Sequence, residues 1–122
     1  MSRGRILVVE DDPALRDTLA EVLRDGGHDV RVAGDGEAAL ATIDTWEPQL
    51  IVLDLMMPRM DGFAFVQAQR NRAGSPAAKV LLLSAAHGVE AAAVELRADA
   101  WLVKPFGLDD VLASVDRLLP KG

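Results

Sequence analysis

Five polar residues stand at the ends of short apolar runs, and together they form a reactive set. Glu10-Asp11 follows RILVV, Asp54 follows LIVL, Ser84 follows KVLLL, and Lys104 follows AWLV. Taken alone, Asp54 reads equally well as a turn or helix-cap residue, since Asp favours both. Brought together, the set has a definite chemistry. Two carboxylates about 4 Å apart repel by several kcal/mol at an effective dielectric of about 20. A divalent cation relieves that repulsion, and an all-oxygen site suits a hard ion such as Mg²⁺ better than zinc. Lys104 supplies a second positive charge and Ser84 a hydroxyl. Metal, ammonium and hydroxyl are what a phosphoryl group in transfer requires at its equatorial oxygens. Asp54 can then be the nucleophile, because carboxylates form acyl phosphates. Nothing in the chain resembles a nucleotide pocket, so the phosphoryl donor is expected to be a separate molecule docking at the edge.

The elements that must position these residues can be read in order. Arg5 to Val9 reads as a strand, and Asp12 as the N-cap of a helix with Pro13 at its first position. Leu15, Leu19, Val22 and Leu23 recur at helical spacing up to Gly26-Gly27. His28 to Ala33 alternates as a half-exposed edge strand does. After the turn Gly34-Asp35-Gly36, Glu37 to Trp46 reads as a helix with Ala38, Leu40, Ala41 and Ile43 on its buried side. Gln49 to Leu53 is a buried strand that delivers Asp54. A loop over 57–62 leads to a helix from Phe63 to Asn71, with Phe63, Val66 and Phe65 as its inward candidates. Lys79 to Leu83 is a buried strand ending at Ser84, Val89 to Leu96 a short Ala-rich helix, and Ala100 to Val103 a fifth strand. Leu108 to Leu119 carries Leu108, Val111, Leu112, Val115, Leu118 and Leu119 at helical spacing, with Asp109-Asp110 at its positive end.

Strand and helix thus alternate five times, the signature of a parallel sheet with right-handed crossovers. In such a sheet every strand C-terminus lies on one edge, where ligands bind in open α/β folds. Four strand ends remote in sequence are therefore expected to bring together three carboxylates, a hydroxyl and an ammonium. The run Gly34-Asp35-Gly36-Glu37-Ala38-Ala39 formally fits a dinucleotide fingerprint. It falls in the second strand–helix turn and lacks the second half-domain that a dinucleotide crosses, so it reads as a tight turn.

Composition narrows the class. The chain has 122 residues, enough for one domain with its own core. It contains no Cys, which excludes a disulfide framework and thiol chemistry. A net charge of -6 argues against direct nucleic-acid binding, which needs Lys and Arg for phosphate contacts. No apolar run approaches the ~20 residues of a membrane span, and Met1-Ser2-Arg3-Gly4-Arg5 does not read as a signal peptide; a cytoplasmic protein is expected.

At these residues the chain resembles the receiver domain of two-component response regulators. The resemblance runs from Arg5 to Leu119 and rests on ILVVEDD, LDLMMPRMDG around Asp54, LLLSA ending in Ser84, and LVKPF containing Lys104. Each is weak alone; together they are highly specific. The resemblance implies one receiver domain over 1–122, core about 5–119. Its fold would be a three-layer α/β flavodoxin-like sandwich, (βα)5, with a parallel sheet of order 2-1-3-4-5. It implies phosphorylation of Asp54 by a histidine kinase or histidine phosphotransfer protein, requiring Mg²⁺ or Mn²⁺ in its place. Asp11 and Asp54 would ligate the metal directly, Glu10 through water, and Met56 through its backbone carbonyl. Ser84, Lys104 and the backbone N–H of Ala85 would hold the phosphoryl oxygens.

Ser84 and Trp101 would form the switch, altering the face made by the fourth helix, fifth strand and fifth helix, through which an output domain, a downstream protein or a second copy would bind. The domain would promote only its own phosphorylation and dephosphorylation. Glu10 stands where Asp is commoner, Ser84 where Thr is also found, Trp101 where Tyr or Phe is usual, and Arg97 where Gly is usual before Ala98-Asp99. A pseudo-receiver, a folded interaction module that takes no phosphate, is the competing reading; a free-standing phosphate-ester hydrolase is a third.

Overall fold

The computed structural model describes residues 4–54, 62–71, 78–84, 91, 93–94 and 97–119. Among the described residues the elements with full bounds are, in chain order, β1 (Arg5–Val9), α1 (Pro13–Asp25), β2 (Asp29–Ala33), α2 (Gly36–Ile43), β3 (Leu50–Asp54), α3 (Gly62–Arg70), β4 (Lys79–Ser84), β5 (Ala100–Val103) and α4 (Leu108–Leu118). The strands form one sheet of order β2-β1-β3-β4-β5, and all four pairings are parallel. The expected helix over 89–96 lies largely outside the described residues.

The period-2 alternation of the strands sorts their side chains between two cores. Ile6, Val8, Leu50, Val52, Leu81 and Leu83 face one side, where α1 contributes Leu19 and Leu23 and α4 contributes Val111 and Val115. Leu7, Val9, Ile51, Leu53, Val80 and Leu82 face the other, where α2 contributes Ile43 and α3 contributes Phe65 and Val66. β3, covered on both sides, is buried along its whole length, which is why it reads as continuous rather than alternating apolar sequence. Helices on both faces complete the three layers.

Local chemistry fixes the helix starts. Asp12 caps α1 by accepting a hydrogen bond from the Ala14 N–H at 3.0 Å, with Pro13 at the first helical position. Asp35 caps α2 by accepting from the Ala38 N–H at 2.8 Å, so the Gly34-Asp35-Gly36 turn is a helix start. That cap sets the rotation of α2: Gly36, Ala39 and Ile43 are buried, whereas Ala38 and Ala41 are exposed and Leu40 half-buried. The expected inward set Ala38, Leu40, Ala41 and Ile43 is thus correct at Ile43, partly so at Leu40, and wrong at both alanines. α2 also ends at Ile43, short of the expected Trp46. Trp46 packs beside the second core, with the Arg31 guanidinium 4.9 Å from its ring centroid. The inward placement of Phe65 and Val66 is observed; the Phe63 side chain lies outside the described residues.

Candidate functional site

The order of the sheet reverses direction between β1 and β3, and in open α/β sheets the crevice beyond the strand C-termini at such a point is where ligands bind. Each flank of that crevice is extended by one ladder bond past the strand. The Glu10 N–H donates to the Ala33 carbonyl at 3.0 Å, and the Lys104 N–H donates to the Ser84 carbonyl at 3.0 Å. Backbone geometry therefore presents Glu10 and Lys104 at the same edge as Asp54, the last residue of β3.

There the expected cluster assembles. One carboxylate oxygen each from Glu10, Asp11 and Asp54 lies within 4.8 Å of the others. The Lys104 Nζ stands 3.3 Å from Asp54 Oδ2 and 3.6 Å from Glu10 Oε1. Glu10 is 1% exposed and Asp54 3%, so two of the three acids sit almost out of water, while Asp11 is exposed at the mouth. Glu10 Oε2 accepts from the Asp12 N–H at 3.2 Å, which folds the acidic turn back on itself. Its Oε1 is buried without a hydrogen-bond partner among the described residues.

The electrostatics follow from this crowding. Burial first, and then the neighbouring Asp54 carboxylate, raise the Glu10 pKa from its ordinary 4.5 to about 8. Burial disfavours the Lys104 ammonium, but the charges of Asp54 and Glu10 outweigh it and hold its pKa above the ordinary 10.5. A single ammonium does not neutralise three acids. A cluster in which Glu10 is pushed toward its neutral form, and in which a buried carboxylate oxygen has no hydrogen bond among the described residues, is short of positive charge, and a hard divalent cation fits its oxygen donors.

The other sequence-derived positions fall as follows. Ser84 ends β4, one residue beyond the level of Asp54 in the ladder, and is fully buried. Trp101 lies on the edge strand β5 and is 38% exposed, so its ring faces outward in part. Met56 and Ala85 lie outside the described residues, as do His87, Met57 and Met60. Arg97 adopts a left-handed φ of 56°, which explains why glycine is usual at this position. Sequence reasoning assigned nothing to Arg16, whose guanidinium reaches the backbone of the acidic turn: Nη1 donates to the Glu10 carbonyl at 3.3 Å. The two residues are six apart across a strand–helix junction, and no local spacing rule joins them.

The comparisons with known proteins agree with this geometry. A family model for the response regulator receiver domain matches residues 6–116. The transcriptional regulatory protein TcrA of Mycobacterium tuberculosis is 39% identical over 125 aligned positions, which take in all of this chain and 48% of that protein. The DNA-binding response regulator MtrA of Mycolicibacterium smegmatis is 40% identical over 114 positions, 93% of this chain and 49% of that protein. The chain thus spans about half the length of the curated relatives it matches. Among solved structures, the chemotaxis response regulator CheY4 of Vibrio cholerae superposes with a TM-score of 0.87 at 32% identity, covering 97% of this chain and 100% of its own. TrrA of Thermotoga maritima, solved in complex with Mg²⁺–BeF, gives a TM-score of 0.82 at 33% identity, covering 94% of this chain and 98% of its own. With the acidic cup, its lysine and the 2-1-3-4-5 sheet all in place, the chain belongs to the response regulator receiver domain family.

Proposed function

We propose that Asp54 is the phosphoacceptor, taking a phosphoryl group from the phosphohistidine of a histidine kinase or histidine phosphotransfer protein. The observation that carries this reading is the position of Lys104 Nζ, 3.3 Å from Asp54 and 3.6 Å from Glu10, with Asp11 closing the cup. An Asp54 carboxylate oxygen attacks phosphorus, the P–O bond forms as the P–N bond breaks, the bond's electron pair stays on nitrogen, and the ring leaves as neutral imidazole carrying the proton already on its other nitrogen. Lys104 pairs with the nucleophile beforehand, 3.3 Å from its Oδ2, and stabilises the phosphoryl oxygens afterwards. The Ser84 hydroxyl and the Ala85 N–H would donate to the same oxygens. Asp11, Asp54 and the Met56 carbonyl would hold Mg²⁺ directly and Glu10 would hold it through water. When bound, the ion supplies charge neutralisation at the phosphoryl group.

Phosphorylation then biases a two-state element, Ser84 and Trp101 with β5 and the flanking helices, and so changes the face offered to an output domain, a downstream protein or a second copy. Chemistry is confined to the domain's own phosphorylation and dephosphorylation, in a single receiver domain working in the cytoplasm. Among the described residues, no helix is long and apolar enough to cross a membrane.

Intact-mass spectrometry after incubation with a small phosphodonor tests this. The expected result is one phosphoryl increment with Mg²⁺, none with EDTA, and none in Asp54→Asn. No increment in the wild type would support the alternative, an interaction module independent of phosphorylation.

A further inference from the structure

We infer that Arg16 is a positioning residue for the acidic cup: its guanidinium, seated where Gly34 leaves space, holds the Glu10 carbonyl and so sets the direction in which Glu10 and Asp11 enter the site. The inference rests on the metal-binding reading proposed above, and it concerns two residues to which that reading gives no part.

Arg16 lies in α1, where its own N–H donates to the Asp12 carbonyl at 2.9 Å in the first turn. From there the side chain reaches back over the strand–helix junction, and Nη1 donates to the Glu10 carbonyl at 3.3 Å. Half-buried, it closes a small circuit around the acidic turn. The Glu10 N–H is tied to Ala33 at 3.0 Å, its carbonyl is tied to Arg16, and its Oε2 accepts from the Asp12 N–H at 3.2 Å. With amide, carbonyl and carboxylate all engaged, the peptide between Glu10 and Asp11 has little freedom to rotate. That peptide decides where the Asp11 carboxylate points.

Gly34 is the counterpart. A Cβ placed on it would lie 3.0 Å from Arg16 Nη1, tighter than ordinary contact. Its φ does not lie in the left-handed region, so what an added Cβ would disturb is the guanidinium, which would have to give by a few tenths of an ångström. Gly34 follows Ala33, the residue that holds the Glu10 N–H. The end of β2 and α1 therefore each hold one backbone group of Glu10, the first its N–H and the second its carbonyl.

The sign of the effect separates positioning from simple charge. A nearby guanidinium repels a divalent cation, so removing one that acts only as a charge would tighten Mg²⁺ binding. Removing one that aims the ligands would weaken it, and outer-shell groups of that kind are typically worth about 10- to 100-fold in metal affinity.

The test is a MgCl₂ titration followed by amide chemical shifts in the wild type, R16M, R16K, G34A and R16M/G34A, with thermal unfolding of each. R16M is expected to bind Mg²⁺ at least about tenfold more weakly. R16K, which keeps the charge but not the fork, should fall between. G34A should weaken binding in the wild-type background and add nothing to R16M, because both act on one contact. An R16M affinity equal to or tighter than the wild type's, whether or not its Tm falls, overturns the inference while leaving the metal reading intact. No saturable Mg²⁺ shift in the wild type overturns both. Should R16M fail to fold, G34A decides: a Kd unchanged from the wild type's refutes the inference.

Discussion

Replacing Glu10 by Gln removes a nearly buried acid whose pKa stands at about 8 instead of 4.5. Without metal, folded Glu10 keeps a proton that the unfolded chain has already released, so stability falls as pH rises from about 4.5 to 8. The span is roughly 3.5 pH units, and at about 1.4 kcal/mol per unit the ceiling on that loss is about 5 kcal/mol. Glutamine keeps the shape and cannot ionise. Urea unfolding in EDTA should therefore give similar stabilities for the two proteins near pH 5. Near pH 8.5 the Glu10→Gln variant should be the more stable by a few kcal/mol, within that ceiling. Mg²⁺ should cancel the difference from the other side, because the ion takes the place of the proton; at a hundred times its Kd it adds about 2.7 kcal/mol to the wild type. Parallel pH profiles for the two proteins, or a metal-free wild type that grows more stable across this window, would refute the reasoning.

Three further outcomes are expected. Lys104→Met should slow phosphorylation from a small donor by about a hundredfold or more, since an ammonium aimed at the phosphoryl oxygens is lost, while a Mg²⁺ titration still saturates. Arg97→Gly should gain about 1 kcal/mol in urea unfolding, because the left-handed φ of 56° strains a residue with a Cβ. Asp35→Ala should cost about 1 kcal/mol by the same assay, through loss of the bond to the Ala38 N–H.

The parts of the fold legible in the sequence are those where one local force dominates. Continuous apolar runs marked β1, β3 and β4 because strands covered on both faces need them, and the shared sheet edge followed from alternation with helices. Asp12-Pro13 marked a helix start because capping is a contact between near neighbours. The rotation of α2 was harder to read: Ala38, Ala39 and Ala41 are nearly equivalent to a pattern rule, and the Asp35 cap together with Ile43 chose Ala39 as the buried one. Arg97 is an unusual residue type for its position, but the positive φ it adopts there is a property of the backbone path into β5. The site showed the same division. Strand-end carboxylates and the lysine could be listed by type; the Arg16–Gly34 arrangement could not, because it depends on how α1 and the β2–α2 turn approach each other in space.

Asp54 as the phosphoacceptor is the claim on which the rest depends, and borohydride trapping addresses it directly. Reduction of an acyl phosphate converts the aspartyl residue to homoserine, which peptide mass spectrometry can place. After incubation with Mg²⁺ and a small phosphodonor, the account predicts homoserine at position 54. Homoserine at position 11 or 12, or phosphate retained on another residue while Asp54 is unchanged, would contradict it.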